Sequence, residues 1–244
     1  MPLPLPSRAR STRQRSSWGS EMPPGTKIFD IAWTIGHLDQ IWTRIIQHFS
    51  LIIVPLILGI IISLILAVWA VRQRWAYAPV TLITGVLYTI PSLAAFAVLR
   101  PITGLSFITA WIPLTTYTLL ILFRNFTAGF TTVPAEILEA AEGMGYTRRQ
   151  RLFRVELPLA VPLIIAGIRL ASVTTIGLAT IVAVLGDQFG GLGQLITEGI
   201  QTFFPTKYLL GAVLSVILAV GADMLFVRLE RVITPWSRAR AGAS

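Results

Sequence analysis

The chain has no cysteine, which excludes disulfides, thiolate metal sites and a cysteine nucleophile. Only two histidines occur, His37 and His48, and neither has ligand-type residues spaced around it. Both are expected at the membrane interface. Charge is also scarce: 13% of the 244 residues are Asp, Glu, Lys or Arg, against 54% hydrophobic. A soluble domain of this size needs about twice that charged fraction. The spans contain no Ser-His-Asp set and no pair of catalytic carboxylates. No G-x-x-x-x-G-K-[ST] loop is present, so the chain is not expected to hydrolyse nucleotide. No apolar stretch follows directly on the basic N-terminus, so that segment does not read as a secretory signal.

What is present is apolar length. Mean hydropathy is +0.73. Five long apolar runs stand at about 49–71, 76–99, 107–122, 159–185 and 208–227. Each can cross about 30 Å of hydrocarbon as a helix. The fold class is therefore all-α, a polytopic membrane protein with five transmembrane helices. Residues 1–27 form a basic tail rich in Pro, Arg and Ser, expected to be disordered. Met1 and Met22 both stand as starts. Over 28–48 apolar residues recur in a three-four alternation (Ile28, Ile31, Ile35, Leu38, Trp42, Ile45), which predicts an amphipathic interfacial helix. Residues 49–228 form the transmembrane domain, and 229–244 a C-terminal tail.

The net charge of +9 does not point to nucleic acid, because the arginines cluster at the ends of apolar runs. Arg72 and Arg74 follow the first run. Arg124 and four further arginines follow the third, and Arg228, Arg231, Arg238 and Arg240 follow the fifth. The positive-inside rule puts those ends in the cytoplasm, with the C-terminus, and the N-terminus outside.

The longest polar interval, 131–158, carries Glu136, Glu139, Glu142 and Glu156 and the arginines Arg148, Arg149, Arg151 and Arg154. Thr132 is expected to cap a helix that has Pro134 in its first turn, and Gly143 and Gly145 to stop it. Thr147 and Gln150 have capping-box spacing, which predicts a second short helix. Leu157 precedes Pro158, which predicts a bend there. A turn and an external helical lip are expected over 186–205, after Gly190, Gly191 and Gly193. Inside the spans Arg169 and Asp223 stand at similar depth. They read as a pair that holds the bundle or as part of a path for substrate. Pro91 is expected to kink the second span.

Glu139-Ala140-Ala141, three residues, Gly145, nine residues, Val155, one residue, Leu157-Pro158 resembles the EAA signature of ABC-importer permeases, with valine where the family usually has isoleucine. The likeness covers roughly 45–232. TIPSLA (89–94) and GGLGQLI (190–196) are similar to segments of the glycine betaine, carnitine and choline permeases. The resemblance implies a type I ABC-importer permease fold with a cytoplasmic coupling helix. Glu139, Ala140, Ala141, Gly145, Leu157 and Pro158 would then form the contact with an ATPase dimer, small residues allowing close approach in its groove. It further implies a second permease copy, identical or a paralogue, an external solute-binding protein, and residence in the cell membrane. Transport would be by alternating access, with ATP and Mg on the ATPase and no cofactor or metal in this chain. Tyr88, Pro91, Ser92 and Tyr117 are candidates for the translocation path or gate. Phe96, Phe203 and Phe204 read as path or packing residues. The rival readings are a permease of the same fold for another solute such as methionine or an anion, an intramembrane enzyme, and a membrane protein without transport.

Overall fold

A long polar-to-apolar helix leads the chain into the bundle. The computed structural model describes residues 28–234, and the expected disordered tail 1–27 lies outside them, as does most of the C-terminal tail. Helix α1 spans Ile31–Gly36 and α2 spans Leu38–Arg72. Then follow α3 (Arg74–Thr89), α4 (Ser92–Thr103), α5 (Phe107–Thr131), α6 (Ala135–Gly143), α7 (Arg148–Arg151), α8 (Leu157–Ile181), α9 (Gly191–Gln201) and α10 (Pro205–Ile233).

Among the described residues, four helical stretches are individually long and apolar enough to cross a membrane: Leu38–Arg72, Phe107–Thr131, Arg148–Leu185 and Pro205–Ile233. The fifth expected span is α3 followed by α4, and it is broken: the two meet at 91°. Ile90 and Pro91 are both extended at the corner, since the residue before proline is driven out of the helical region. The expected kink is thus a right-angle corner.

The boundary expected at 48/49 does not exist. A break falls at His37 instead, after Gly36, a poor helix former, and α2 runs unbroken from Leu38 into the apolar run. Asp30 caps α1 by accepting from the Trp33 N–H at 3.0 Å. The apolar stripe Ile28, Ile31, Ile35, Leu38 and Trp42 stays exposed. Arg44 and His48, on the polar side, turn into the bundle. This inversion suits a helix whose solvent is lipid. His48 is fully buried, where an interfacial position was expected, and Gly191 makes room for it: a Cβ there would stand 3.2 Å from Nδ1.

Helix α5 lies at the centre, packed along α2 and α8. Two apolar clusters fill the bundle. One, at the arginine-rich end, gathers Ala67, Phe123, Phe126, Phe130 and Ala160. The other gathers Leu51, Phe96, Leu114, Ile176 and Phe189. Phe96 is therefore a packing residue. Helix α9 is part of this interior, since Leu192 and Leu195 are fully buried. The external lip expected over 186–205 is instead a wedge between α2, α8 and α10. Gly193 allows the approach, because a Cβ on it would lie 2.0 Å from the carbonyl oxygen of Thr180. Glu198 fastens the wedge, accepting from Arg44 of α2 at 2.9 Å and Lys207 of α10 at 3.0 Å.

Candidate functional site: the α6 platform

Pro134, not Thr132, precedes the first turn of α6. The Thr132 hydroxyl donates backwards to the Gly129 carbonyl at 2.9 Å, because Thr132 still belongs to the end of α5. Proline fits this entry because the first helical N–H groups have no intrahelical acceptor.

The far end of α6 is closed by a Schellman motif. The Tyr146 N–H donates to the Ala141 carbonyl at 3.1 Å and the Gly145 N–H to Glu142 at 2.9 Å. Gly145 takes φ = +80°, the left-handed conformation the motif needs, and Gly143 is simply the last helical residue. The chain then reverses into α7. Thr147 Oγ1 accepts from the Gln150 N–H, and the Gln150 side chain accepts from the Thr147 N–H at 2.8 Å, the predicted capping box.

No second free-standing helix follows. Helix α7 passes through one π turn, Leu152–Glu156, directly into α8, and Leu157 is helical. The bend expected at Leu157-Pro158 is absent. A proline inside a regular α-helix clashes with the carbonyl four residues back. The wider turn ahead of Pro158, in which the Leu157 N–H reaches the Leu152 carbonyl, lets the helix continue.

A carboxylate with no sequence motif holds this corner. Glu156 is only 5% exposed. It accepts from Arg151 Nε at 2.8 Å and stands 3.6 Å from Arg72 of α2. Arg151 also reaches Glu142 on α6. So Arg151 joins α6 to the π turn, and Glu156 joins both to the end of α2. Arg72 is far from the others in sequence, and only the acidic and basic character of the four was readable beforehand.

The clasp leaves one face of α6 outward: Glu136, Glu139, Ala140 and Gly143, at i, i+3, i+4 and i+7. Ile137, Leu138 and Ala141 turn inward, and Ala141 is 1% exposed. Ala141 therefore sets the approach of α6 to its own bundle. The small residues presented outward are Ala140 and Gly143, not the pair Ala140 and Ala141. Leu157 and Pro158 are half-buried in the root of α8 and do not share that face.

The other candidates collect at two places. Tyr117 Oη donates to the Ile90 carbonyl at 2.6 Å, and the Tyr88 and Tyr117 rings meet edge-on at 6.0 Å. Tyr117 thus satisfies a carbonyl freed at the 91° corner, next to Pro91. Ser92 is the first residue of α4, half-buried. Tyr88, Pro91, Ser92 and Tyr117 share one neighbourhood. Arg169 and Asp223 form a two-pronged ion pair between α8 and α10, with Nη2 to Oδ2 at 2.9 Å. Phe203 and Phe204 stand elsewhere, after α9, and Phe204 meets the Trp33 ring edge-on.

A family model described as the binding-protein-dependent transport system inner membrane component matches residues 59–235. The chain belongs to that family. This permease is 37% identical over 188 residues to the choline transport system permease protein OpuBD of Bacillus subtilis, covering 77% of this chain and 80% of that one. It is 38% identical over 194 residues to the osmoprotectant import permease protein OsmW of Salmonella typhimurium, covering 78% and 89%. Among solved structures, the methionine ABC transporter MetNI, inward facing, aligns with a TM-score of 0.70 at 22% identity, over 82% of this chain and 98% of that one. The fold is thus the type I ABC-importer permease fold, and the chain is a multi-pass inner-membrane transport component.

Proposed function

We propose that this permease carries a compatible solute of the glycine betaine, choline or carnitine type across the membrane, driven by a separate ATPase. The outward face of α6 supports the coupling half of this reading. It offers two small residues, Ala140 and Gly143, flanked by Glu136 and Glu139, on a helix clasped at its C-terminal end. A short helix laid in a groove needs small residues at closest approach, and a rigid base if it is to transmit displacement. In this reading α6 sits in a groove of a cytoplasmic ATPase dimer that binds ATP and Mg. Its motion passes through Arg151 and Glu156 to α2 and α8. The arginine-rich end is cytoplasmic, which places α1 outside.

The names of the relatives, choline and osmoprotectant permeases, support the solute class. The unpaired apolar faces of α2 and α10 support a second permease copy and lipid as their cover. An external binding protein delivers the solute, and the corner at Tyr88, Pro91, Ser92 and Tyr117 acts as the gate. Reconstitution with the ATPase and binding protein tests the whole: labelled glycine betaine, choline or carnitine should accumulate only with ATP. Uptake of methionine or an anion in place of all three would replace the solute class and leave the coupling reading intact. ATP hydrolysis indifferent to the presence of the permease would remove the coupling reading itself.

A further inference from the structure

The end of the bundle behind α6 carries an open cavity of about 690 Å³ between the ends of α2 and α5, the start of α3, and α6. Four arginines line it, Arg72, Arg74, Arg124 and Arg151, against the single carboxylate of Glu156. Two of the four are already engaged, Arg151 with Glu156 and Glu142, and Arg72 beside Glu156 and the Arg148 carbonyl. Arg74 and Arg124 have no acceptor among the described residues. Thr127, on the α5 wall, is buried with its hydroxyl oxygen unpartnered. A threonine inside a helix ordinarily returns its hydroxyl to the preceding turn, as Thr131 does to the Thr127 carbonyl at 3.0 Å.

An adjoining groove of about 430 Å³ shares Arg72 and Phe130 with the cavity. Its other walls are almost wholly apolar, with Leu64, Ile65, Val68, Trp69 and Phe153 among them. Two free guanidinium groups and a free hydroxyl call for an anion with several oxygens. The apolar groove beside them calls for hydrocarbon. The cavity lies where the apolar helices α2 and α5 end, so a bilayer crossed by them would set its headgroups beside it.

We propose that this cavity binds the phosphate headgroup of an anionic phospholipid, held by Arg74, Arg124 and Thr127, with an acyl chain in the groove beside Trp69 and Phe153. A guanidinium aimed at a phosphate makes charge-assisted bonds, each contributing about a factor of ten or more in affinity. The site rests on the cavity alone and does not depend on which solute is carried. It is tested on the full-length permease purified in detergent, by titrating phosphatidylglycerol, phosphatidylcholine and inorganic phosphate and reading lipid retention by mass spectrometry together with thermal stability. Phosphatidylglycerol should be retained and stabilise the protein, and the R74Q/R124Q double variant should weaken that at least about tenfold. Both arginines are exposed, so the variant should keep its fold. The R154Q/R228Q variant loses the same charge outside the cavity and should bind as the unmodified protein does. Equal retention by R74Q/R124Q and the unmodified protein overturns the site. So does an equal loss in R154Q/R228Q, which would mean general charge attraction. Stabilisation by inorganic phosphate without any by phosphatidylglycerol overturns the lipid assignment.

Discussion

Two helices of this permease end in the same hydrogen-bonded motif with opposite consequences. Helix α6 closes with Gly145 in the left-handed position. Helix α9 closes with the Phe203 N–H donating to Ile200 at 3.3 Å and the Phe204 N–H to Gly199 at 2.8 Å. The left-handed residue there is Phe203, at φ = +52° and 89% exposed. Glycine takes that conformation without penalty, whereas phenylalanine pays for it with steric strain. The neighbours explain the tolerance. Phe204 packs on Trp33, and α9 is wedged into the bundle, so surrounding contacts fix the turn whatever residue fills it. Around Gly145 the space is open, so the glycine itself must fix the turn, while the Arg151 clasp holds the helix just ahead of it.

Substitutions can break this contrast. The largest effect is expected from G193V. The new side chain would strike the Thr180 backbone, which cannot yield as a flexible side chain can. We expect a loss of more than about 3 kcal/mol and little folded protein in the membrane, read by size exclusion and thermal unfolding in detergent. If G193V folds normally, α9 is not the wedge described. Next is E156A, which leaves Arg151 and Arg72 without their shared carboxylate. A loss on the order of 3 kcal/mol is expected, at the low end for a broken buried pair because both arginines reach solvent. Faster hydrogen exchange should appear in α6 and the π turn, leaving α9 unchanged. Exchange rising equally in both would show that the two ends are not independent.

G145L should cost only about 1 kcal/mol, since space around the position is open and only the backbone conformation is strained. Membrane insertion should persist while stimulation of the partner ATPase and solute uptake disappear. Unimpaired uptake would detach α6 from coupling. The smallest effect is expected from F203G, a gain of about 0.5 kcal/mol from relief of the left-handed strain. Thermal unfolding reads it directly. A clear loss would mean that the exposed ring contributes a contact outside this chain.

Local features of the platform were legible where both partners are close in sequence. Thr147 and Gln150 are three residues apart, and a capping box needs nothing else. Gly145 announced its turn because few other residues adopt that backbone readily. Thr132 misled because its hydroxyl had two destinations, and completing α5 won over starting α6. Pro158 misled because a π turn, which leaves no mark in composition, absorbs it. The corner at Pro91 was visible as a weak point, but its 91° angle was not. Glu156 was counted among the acidic residues without a role, since its partners lie on different helices.

The sequence by itself determined that the chain is a bundle of apolar helices, and it singled out the polar interval 131–158 as the stretch proposed here for coupling. Hydrophobic run length, charge placement and glycine or proline chemistry act over a few residues, so they can be read along a line. Only the tertiary structure decided that Ala141 faces inward while Ala140 and Gly143 face out, and that α9 is a wedge. It also decided that four arginines from α2, α3, α5 and α7 surround one cavity. Those facts depend on which helix lies beside which, and packing between distant segments fixes that only once the chain has closed on itself.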